Sequence, residues 1–171
     1  MTEEAFLALP ETMTKTELLD GELVREPSPG DTHQDLVGRF YLELCAWAGT
    51  RTPRPSVRLS PLDVRFSPGR ILQPDLLVFI EPLVRPVRMP IERVPDLCVE
   101  VVSTRRLYDR VTKRLAYAEG GVGEYWTVLP RLGFVERWTG AGLSRREELR
   151  ERLVTPLLPG FDLDVAALLS G

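Results

Sequence analysis

Two stretches decide the fold: ILQPDLLVFI (residues 71–80) and DLCVEVV (residues 96–102). Each is a strongly apolar run that reads as a strand, and the near-continuous second run implies burial on both faces. Each also carries one carboxylate, Asp75 in the first and Glu100 in the second. A charged carboxylate in such a run costs several kcal/mol or more unless something positive compensates it. An acid placed there is paired, protonated or bound to a cation.

Outward from these two runs, the chain reads as alternating short elements. Upstream, a short helix over 3–9 is stopped by Pro10. In TELLDGELVRE (16–26), Asp20-Gly21 between two strand-like runs signals a two-residue hairpin turn. PSPGD is a loop, and Asp31 or Thr32 can cap a helix running to about Ala48. Val57, Leu59, Asp63, Val64 and Phe66 suggest an extended segment before the turn at Gly69. Downstream, a helix over 105–119 ends at Gly120-Gly121. EYWTV (124–128) and FVERWT (134–139) are two more strands. RREELRERL (145–153) reads as a charged surface segment, and PGFDLDVAALL (159–169) closes with a short amphipathic helix. This order predicts a mixed sheet with helices on its faces, α/β or α+β. With 171 residues and no internal repeat, one domain over 1–171 is expected.

Composition excludes several classes. Hydrophobic residues at 43% and charged residues at 27% fit a soluble globular chain. No apolar run approaches the roughly 20 residues of a membrane helix. The N-terminal MTEEAFLALPETM is acidic where an export signal is basic, so the cytoplasm is expected. Cys45 and Cys98 sit in apolar runs and read as buried thiols. The net charge of -3 argues against bulk coating of nucleic acid, but not against a nuclease, whose cleft needs carboxylates to hold cations. The basic residues are 20 arginines and only two lysines, Lys15 and Lys113. Arginine cannot replace a lysine that titrates, which gives each lysine weight.

If Asp75 and Glu100 lie on adjacent strands, both can point to one edge. Two hard oxygen ligands suit Mg²⁺ or Mn²⁺, which can activate water and stabilise charge on a phosphodiester. The competing reading is that each acid is a strand-end residue that faces solvent or pairs with an arginine. On the 105–119 helix, Leu107, Val111, Leu115 and Ala118 form the apolar stripe, with Lys113 nearly opposite. Lys113 is then either a solvated partner of Asp109 or a catalytic amine. Arg106, Arg110 and Arg114 either meet phosphates or solvate the helix. Glu22 is a further acid for the site or an exposed hairpin residue. His33, beside Gln34 at a helix start, either assists near an anion or makes a local hydrogen bond. Asp96 and Asp109 read as structural, and Tyr125 and Trp126 as core aromatics.

Pro74-Asp75, then Glu100, then a following lysine resembles the PD-(D/E)XK nuclease superfamily. More narrowly, the chain is similar to the Uma-two family of restriction-endonuclease-like bacterial proteins. The matching stretches are ELLDGELV (17–24), PSPGDTHQ (27–34), GRILQPDLLV (69–78), PDLCVEVVS (95–103), DRVTKRLAYAEGGVGEYWTV (109–128) and PLLPGFDLDV (156–165). They span nearly the whole chain in the right order. The resemblance implies a restriction-endonuclease-like core with Asp75 and Glu100 as metal-binding acids. It also implies a catalytic Lys113, displaced onto the helix because Val102 stands two residues after Glu100. An early glutamate, matched by Glu22, completes the site in related nucleases. The chain departs from the family at VVSTRRLY (101–108), which is shorter than the usual serine-proline-serine run, and at Leu129-Pro130.

The expectation is a metal-dependent endonuclease cutting DNA with Mg²⁺ or Mn²⁺, in which His33, Gln34, Arg106 and Arg110 contact DNA phosphates. A homodimer suits two cuts on a duplex. The rival is a catalytically silent nuclease-fold module for oligomerisation or nucleic-acid binding. A hydrolase of another phosphate ester would use the same metal site.

Overall fold

The computed structural model describes residues 1–10, 14–102 and 108–170. In chain order its first half comprises α1 (Glu3–Leu7), β1 (Thr16–Leu19), β2 (Glu22–Arg25), α2 (Asp31–Gly49), β3 (Ser56–Leu59), β4 (Val64–Ser67), β5 (Arg70–Leu72), β6 (Leu76–Phe79) and β7 (Leu97–Val101). A π-helical turn (Tyr108–Lys113) leads into α3 (Arg114–Gly120). Then come β8 (Glu124–Leu129), β9 (Phe134–Thr139), β10 (Arg145–Leu149), β11 (Arg152–Val154), β12 (Asp162–Asp164) and α4 (Val165–Leu169).

The buried runs pair into a six-stranded central sheet of order β10-β9-β8-β7-β6-β3. All its pairings are antiparallel except β7 with β8, which are joined through α3. One face of this sheet packs Leu76, Val99 and Trp126 against Phe40 and Leu44 of α2 and Leu168 of α4. The other face packs Leu77, Cys98 and Tyr125 against Val64 and Phe66 of β4 and Tyr117 of α3. The mixed α+β architecture agrees with the expected fold class.

A second sheet, β2-β1-β5-β4, begins with the predicted hairpin. Asp20 and Gly21 take φ of 51° and 85°, the paired positive values a type I′ turn requires. Stretch 71–80 is not one strand. It breaks at Gln73-Pro74 and changes sheets, β5 belonging to the small sheet and β6 to the central one. Proline has no N–H to give a ladder, so a strand cannot run through it undisturbed. The backbone N–H of Gln73 is satisfied by the Glu17 carboxylate at 2.7 Å.

Segment 145–153 is the expected charged surface segment, exposed along strand β10 and the start of β11. Two other expectations need correction. The N-cap of α2 is Gly30, one residue before Asp31, and no side chain caps this helix. The inward stripe after residue 108 is Asp109, Lys113, Ala116 and Tyr117, while Val111 and Leu115 are exposed. Cys98 is buried and Cys45 half-buried, both as free thiols. Among the described residues no helix is long and apolar enough to cross a membrane.

Candidate active site

Asp75 and Glu100 meet because of strand register. Leu76 lies opposite Val99 in the antiparallel pair β6–β7. One step further sets Asp75 opposite Glu100, where side chains on one face stand about 5 Å apart at Cβ. Like charges so placed repel, and the structure answers with lysine. The Lys15 ammonium touches Asp75 Oδ1 at 3.1 Å, Glu26 Oε2 at 3.5 Å and Glu100 Oε2 at 3.7 Å. Two carboxylate oxygens held by one nitrogen at 3.1 and 3.7 Å lie within about 7 Å of each other. Asp75 also accepts from the Val101 N–H at 2.9 Å and from His33 Nε2 at 3.0 Å.

Behind Lys15 lies the second lysine. Lys113 is wholly buried and surrounded by Glu26 at 2.7 Å, Glu100 at 3.0 Å, Glu17 at 3.4 Å and Asp109 at 3.8 Å. The Tyr117 hydroxyl donates to the same Glu100 oxygen at 2.7 Å. Tyr108 donates to Glu17 at 3.1 Å. Lys113 therefore does not sit on a solvated face. Its pairing with Asp109 exists, but inside the protein. The π-helical turn over Tyr108–Lys113 carries both residues, and the Tyr125 hydroxyl pins that turn by donating to the Asp109 carbonyl at 2.9 Å.

Two acids and one lysine of this cluster come from positions that sequence reasoning leaves out of the site. Lys15, Glu17 and Glu26 belong to the hairpin. Glu17 and Val24 are register partners, and the Glu26 N–H bonds the Lys15 carbonyl at 3.0 Å. Alternation along the two strands thus sends Lys15, Glu17 and Glu26 to one side. Glu22 is a correction. It is exposed at the turn end of β2, four residues from Glu26, or about 13 Å along a strand. Glu17 and Glu26 supply the early acids instead. Arg110 is also a correction: its guanidinium is committed to Glu136, with Nε at 2.8 Å. His33 joins the site through Asp75. Gln34 is exposed on the wall of the cleft. Arg106 lies outside the described residues.

The electrostatics follow from the count. Five carboxylates, Glu17, Glu26, Asp75, Glu100 and Asp109, face two ammoniums. Burial pushes the Asp75 carboxyl up, but Lys15, His33 and Lys113 together outweigh it and hold it well below the usual carboxylate range. At Glu100 burial wins over Lys113 and Lys15, and the carboxyl rises well above its ordinary value. Asp109 is pushed up to about 6, first by burial and then by Glu26 and Asp75, against the pull of Lys113. Both lysines stay charged: burial lowers their pKa, and the surrounding carboxylates, Glu100 foremost, raise it further than that.

A cleft of about 460 Å³ opens onto this cluster, lined by Lys15, Glu26, His33, Gln34, Asp75 and Asp109 among others. The uncapped first turn of α2 borders it at Gly30, and a helix N-terminus favours anions. Among the described residues no three His, Cys, Asp or Glu side chains are already grouped at metal-binding spacing. The donor set nevertheless fits a hard divalent cation. It is all oxygen, negative charge is in excess, and the Lys15 ammonium stands in for a cation between Asp75 and Glu100.

Comparison with known proteins gives a family match and matches among solved structures. A family model described as "Uma2: Putative restriction endonuclease" matches residues 3–166. The chain also resembles a solved protein of Anabaena variabilis described as a "putative nuclease belonging to DUF820". The two share 21% sequence identity and a TM-score of 0.81, over 99% of this chain and 98% of that one. At that identity the likeness is one of fold. No functionally curated protein matches the chain.

Proposed function

The chain belongs to the Uma2 restriction-endonuclease-like family, and from that premise we propose that it is a metal-dependent endonuclease hydrolysing DNA phosphodiester bonds at the cleft where Asp75 and Glu100 meet. The observation that carries this reading is the register pairing of those two acids around a single cationic group. Asp75 and Glu100, with Glu26 beside them, would hold a Mg²⁺ or Mn²⁺ ion. When bound, such an ion lowers the pKa of water and offsets charge on a phosphoryl oxygen.

The protein's own groups supply the rest. His33 and the Val101 N–H fix the Asp75 carboxylate from one side, as an ordering shell fixes a ligand. Lys113, enclosed by four acids, keeps them together and does not line the cleft. The amine that reaches the cleft is Lys15, so the proposal assigns Lys15 the scissile phosphate or the attacking water, in place of Lys113. The first turn of α2 adds a favourable field for the anion.

Plasmid cleavage in Mg²⁺ or Mn²⁺ tests the assignment. Asp75→Ala is expected to lower the rate at least about 10²-fold, the scale of removing one transition-state charge interaction. Equal activity in the two proteins would reject it. The second reading is a catalytically silent nuclease-fold module, and the lysine-filled acid cluster favours it. Calorimetric titration with Mn²⁺ separates the two, because a silent module shows no binding that depends on Asp75 and Glu100.

A further inference from the structure

The cleft and a second cavity are bordered by the same two elements, α2 and β3, with no lining residue in common. Along α2 the walls run from His33, Gln34 and Val37 at the cleft to Tyr41, Cys45 and Ala48 at the second cavity. These positions recur every three or four residues, so they form one stripe of the helix. Along edge strand β3, Leu59 and Ser60 line the cleft, while Ser56, Val57 and Arg58 line the second cavity. The two cavities therefore follow one another along α2 and β3, with about 18 Å of helix from His33 to Cys45.

The second cavity, about 410 Å³, is lined by Arg54, Arg58 and Arg85. No carboxylate is among its lining residues. Several other arginines of the chain are paired with acids: Arg65 with Glu3 and Glu92, Arg70 with Asp20, Arg146 with Glu136 and Glu148. Arg54 and Arg85 have no hydrogen bond or ion pair among the described residues. Arg58 makes one bond, to the Val57 carbonyl at 2.8 Å. Three guanidiniums without counter-charge, in a chain of net charge -3, form a local concentration of positive charge. Their placement is built. The Leu83 N–H donates to Ser56 Oγ at 3.0 Å, tying the loop that carries Arg85 to β3. Hydrogen bonding to Cys45 and burial push the Tyr41 phenol up, and the charges of Arg58 and Arg54 both act against that.

We propose that Arg54, Arg58 and Arg85 form a phosphate-binding subsite that grips the DNA backbone at a distance from the scissile bond. This deepens the nuclease reading and rests on it. Guanidinium forks suit phosphate oxygens. Phosphates of one strand follow about every 3.4 Å along a duplex axis, so the helix rise of about 18 Å from His33 to Cys45 corresponds to about five of them. The subsite thus holds substrate by backbone charge, without reading its bases.

Binding of a labelled duplex of about 20 base pairs by anisotropy, in Ca²⁺ and over a range of salt, tests the subsite. Arg54→Gln/Arg85→Gln, both at exposed positions, and the triple variant with Arg58→Gln are compared with wild type. Each phosphate that is no longer neutralised should flatten the slope of log affinity against log salt by about 0.9. The triple variant should show two to three of these steps and bind about tenfold or more weakly at low salt. The triple Arg→Lys variant should keep most of the slope. Hydrolysis of bis(p-nitrophenyl) phosphate, too small to reach both cavities, should be unchanged by any of them. Unchanged affinity and slope in the triple variant, with diester hydrolysis intact, would overturn the subsite and leave the cleft reading standing. A wild type that hydrolyses no diester but binds duplex through the arginines keeps the subsite and removes the cleft reading. A wild type that binds no duplex overturns the subsite. Loss of poly-glutamate binding with duplex binding untouched would also overturn it, in favour of an acidic polypeptide.

Discussion

Asp75, Glu100 and Glu136 lie in one row across the central sheet, since Glu100 is the register partner of Thr127 and Thr127 of Glu136. Their surroundings differ in kind. Glu136 is fully buried and answered in full: Thr127 donates at 2.8 Å, Arg110 forks onto it, and Arg146 binds at 2.7 Å. Burial raises its carboxyl, but Arg110, Thr127 and Arg146 bring it below the ordinary value. Two and three strands away, Glu100 and Asp75 share lysines with three further acids, and the sum remains negative. A buried acid closed off by arginines is a structural fastening. A buried group of acids short of positive charge, facing a cleft, is the setting in which the proposed cation would bind.

The sharpest way to break this comparison is Lys113→Met. It leaves four carboxylates without their common counter-charge and should cost about 3–5 kcal/mol in urea unfolding, the scale of a broken buried pair. A loss below about 1 kcal/mol, the scale of an exposed pair, would deny Lys113 that role. Next, Asp75→Asn should slow cleavage about 10²–10³-fold, or about 3–4 kcal/mol. Glu136→Gln should leave the rate unchanged in the same assay; equal losses would dissolve the distinction between the two regions. Glu136→Gln should instead lower stability by about 1.5–3 kcal/mol, the worth of hydrogen bonds to a charged group. That is less than Lys113→Met, because Arg110 and Arg146 are about one-third exposed and can turn to water.

Acid provides the smallest and most diagnostic contrast. Asp109 is raised from 3.8 to about 6, so the folded state holds its proton more tightly than the unfolded chain does. Its contribution is therefore complete below about 3.8 and lost as pH rises through 6. Glu136 runs the other way. It is lowered from 4.5, so its contribution is complete above 4.5 and lost as pH falls below that value. Unfolding midpoints between about pH 7 and 3 should show both limbs, with Asp109→Asn removing the upper and Glu136→Gln the lower. Identical profiles for the two variants would sink the sign assignment.

Much of the site is legible in the sequence, and for physical reasons. An acid inside an apolar run is costly, so Asp75 and Glu100 stand out before any strand is paired. Glu136 carries the same signal inside FVERWT, but the arginine beside it makes that strand look half solvated. Lys113 emerges through family resemblance, but its burial does not, because Val111 and Leu115 form a plausible apolar stripe that the fold turns outward. Lys15, Glu17 and Glu26 are hidden by their setting. In a short hairpin, alternating polar residues look like a solvent face, and only docking against β6 and β7 makes that face an interior. The one hint is the scarcity of lysine: both lysines of the chain stand in the cluster. Pro74 is visible as a residue, but the change of sheet it marks depends on which strands the two halves meet.

The hairpin's contribution has a last consequence for how the protein comes to be competent at all. Residues 15–26 belong to one sheet and residues 75–113 to another part of the chain, and neither group alone assembles the charge cluster. A partly folded molecule with the hairpin peeled away would present crowded, mutually repelling acids to solvent without the Lys15 amine beside them. On the proposed nuclease reading, activity is thereby reserved for the finished tertiary structure, and a half-made copy does not cut.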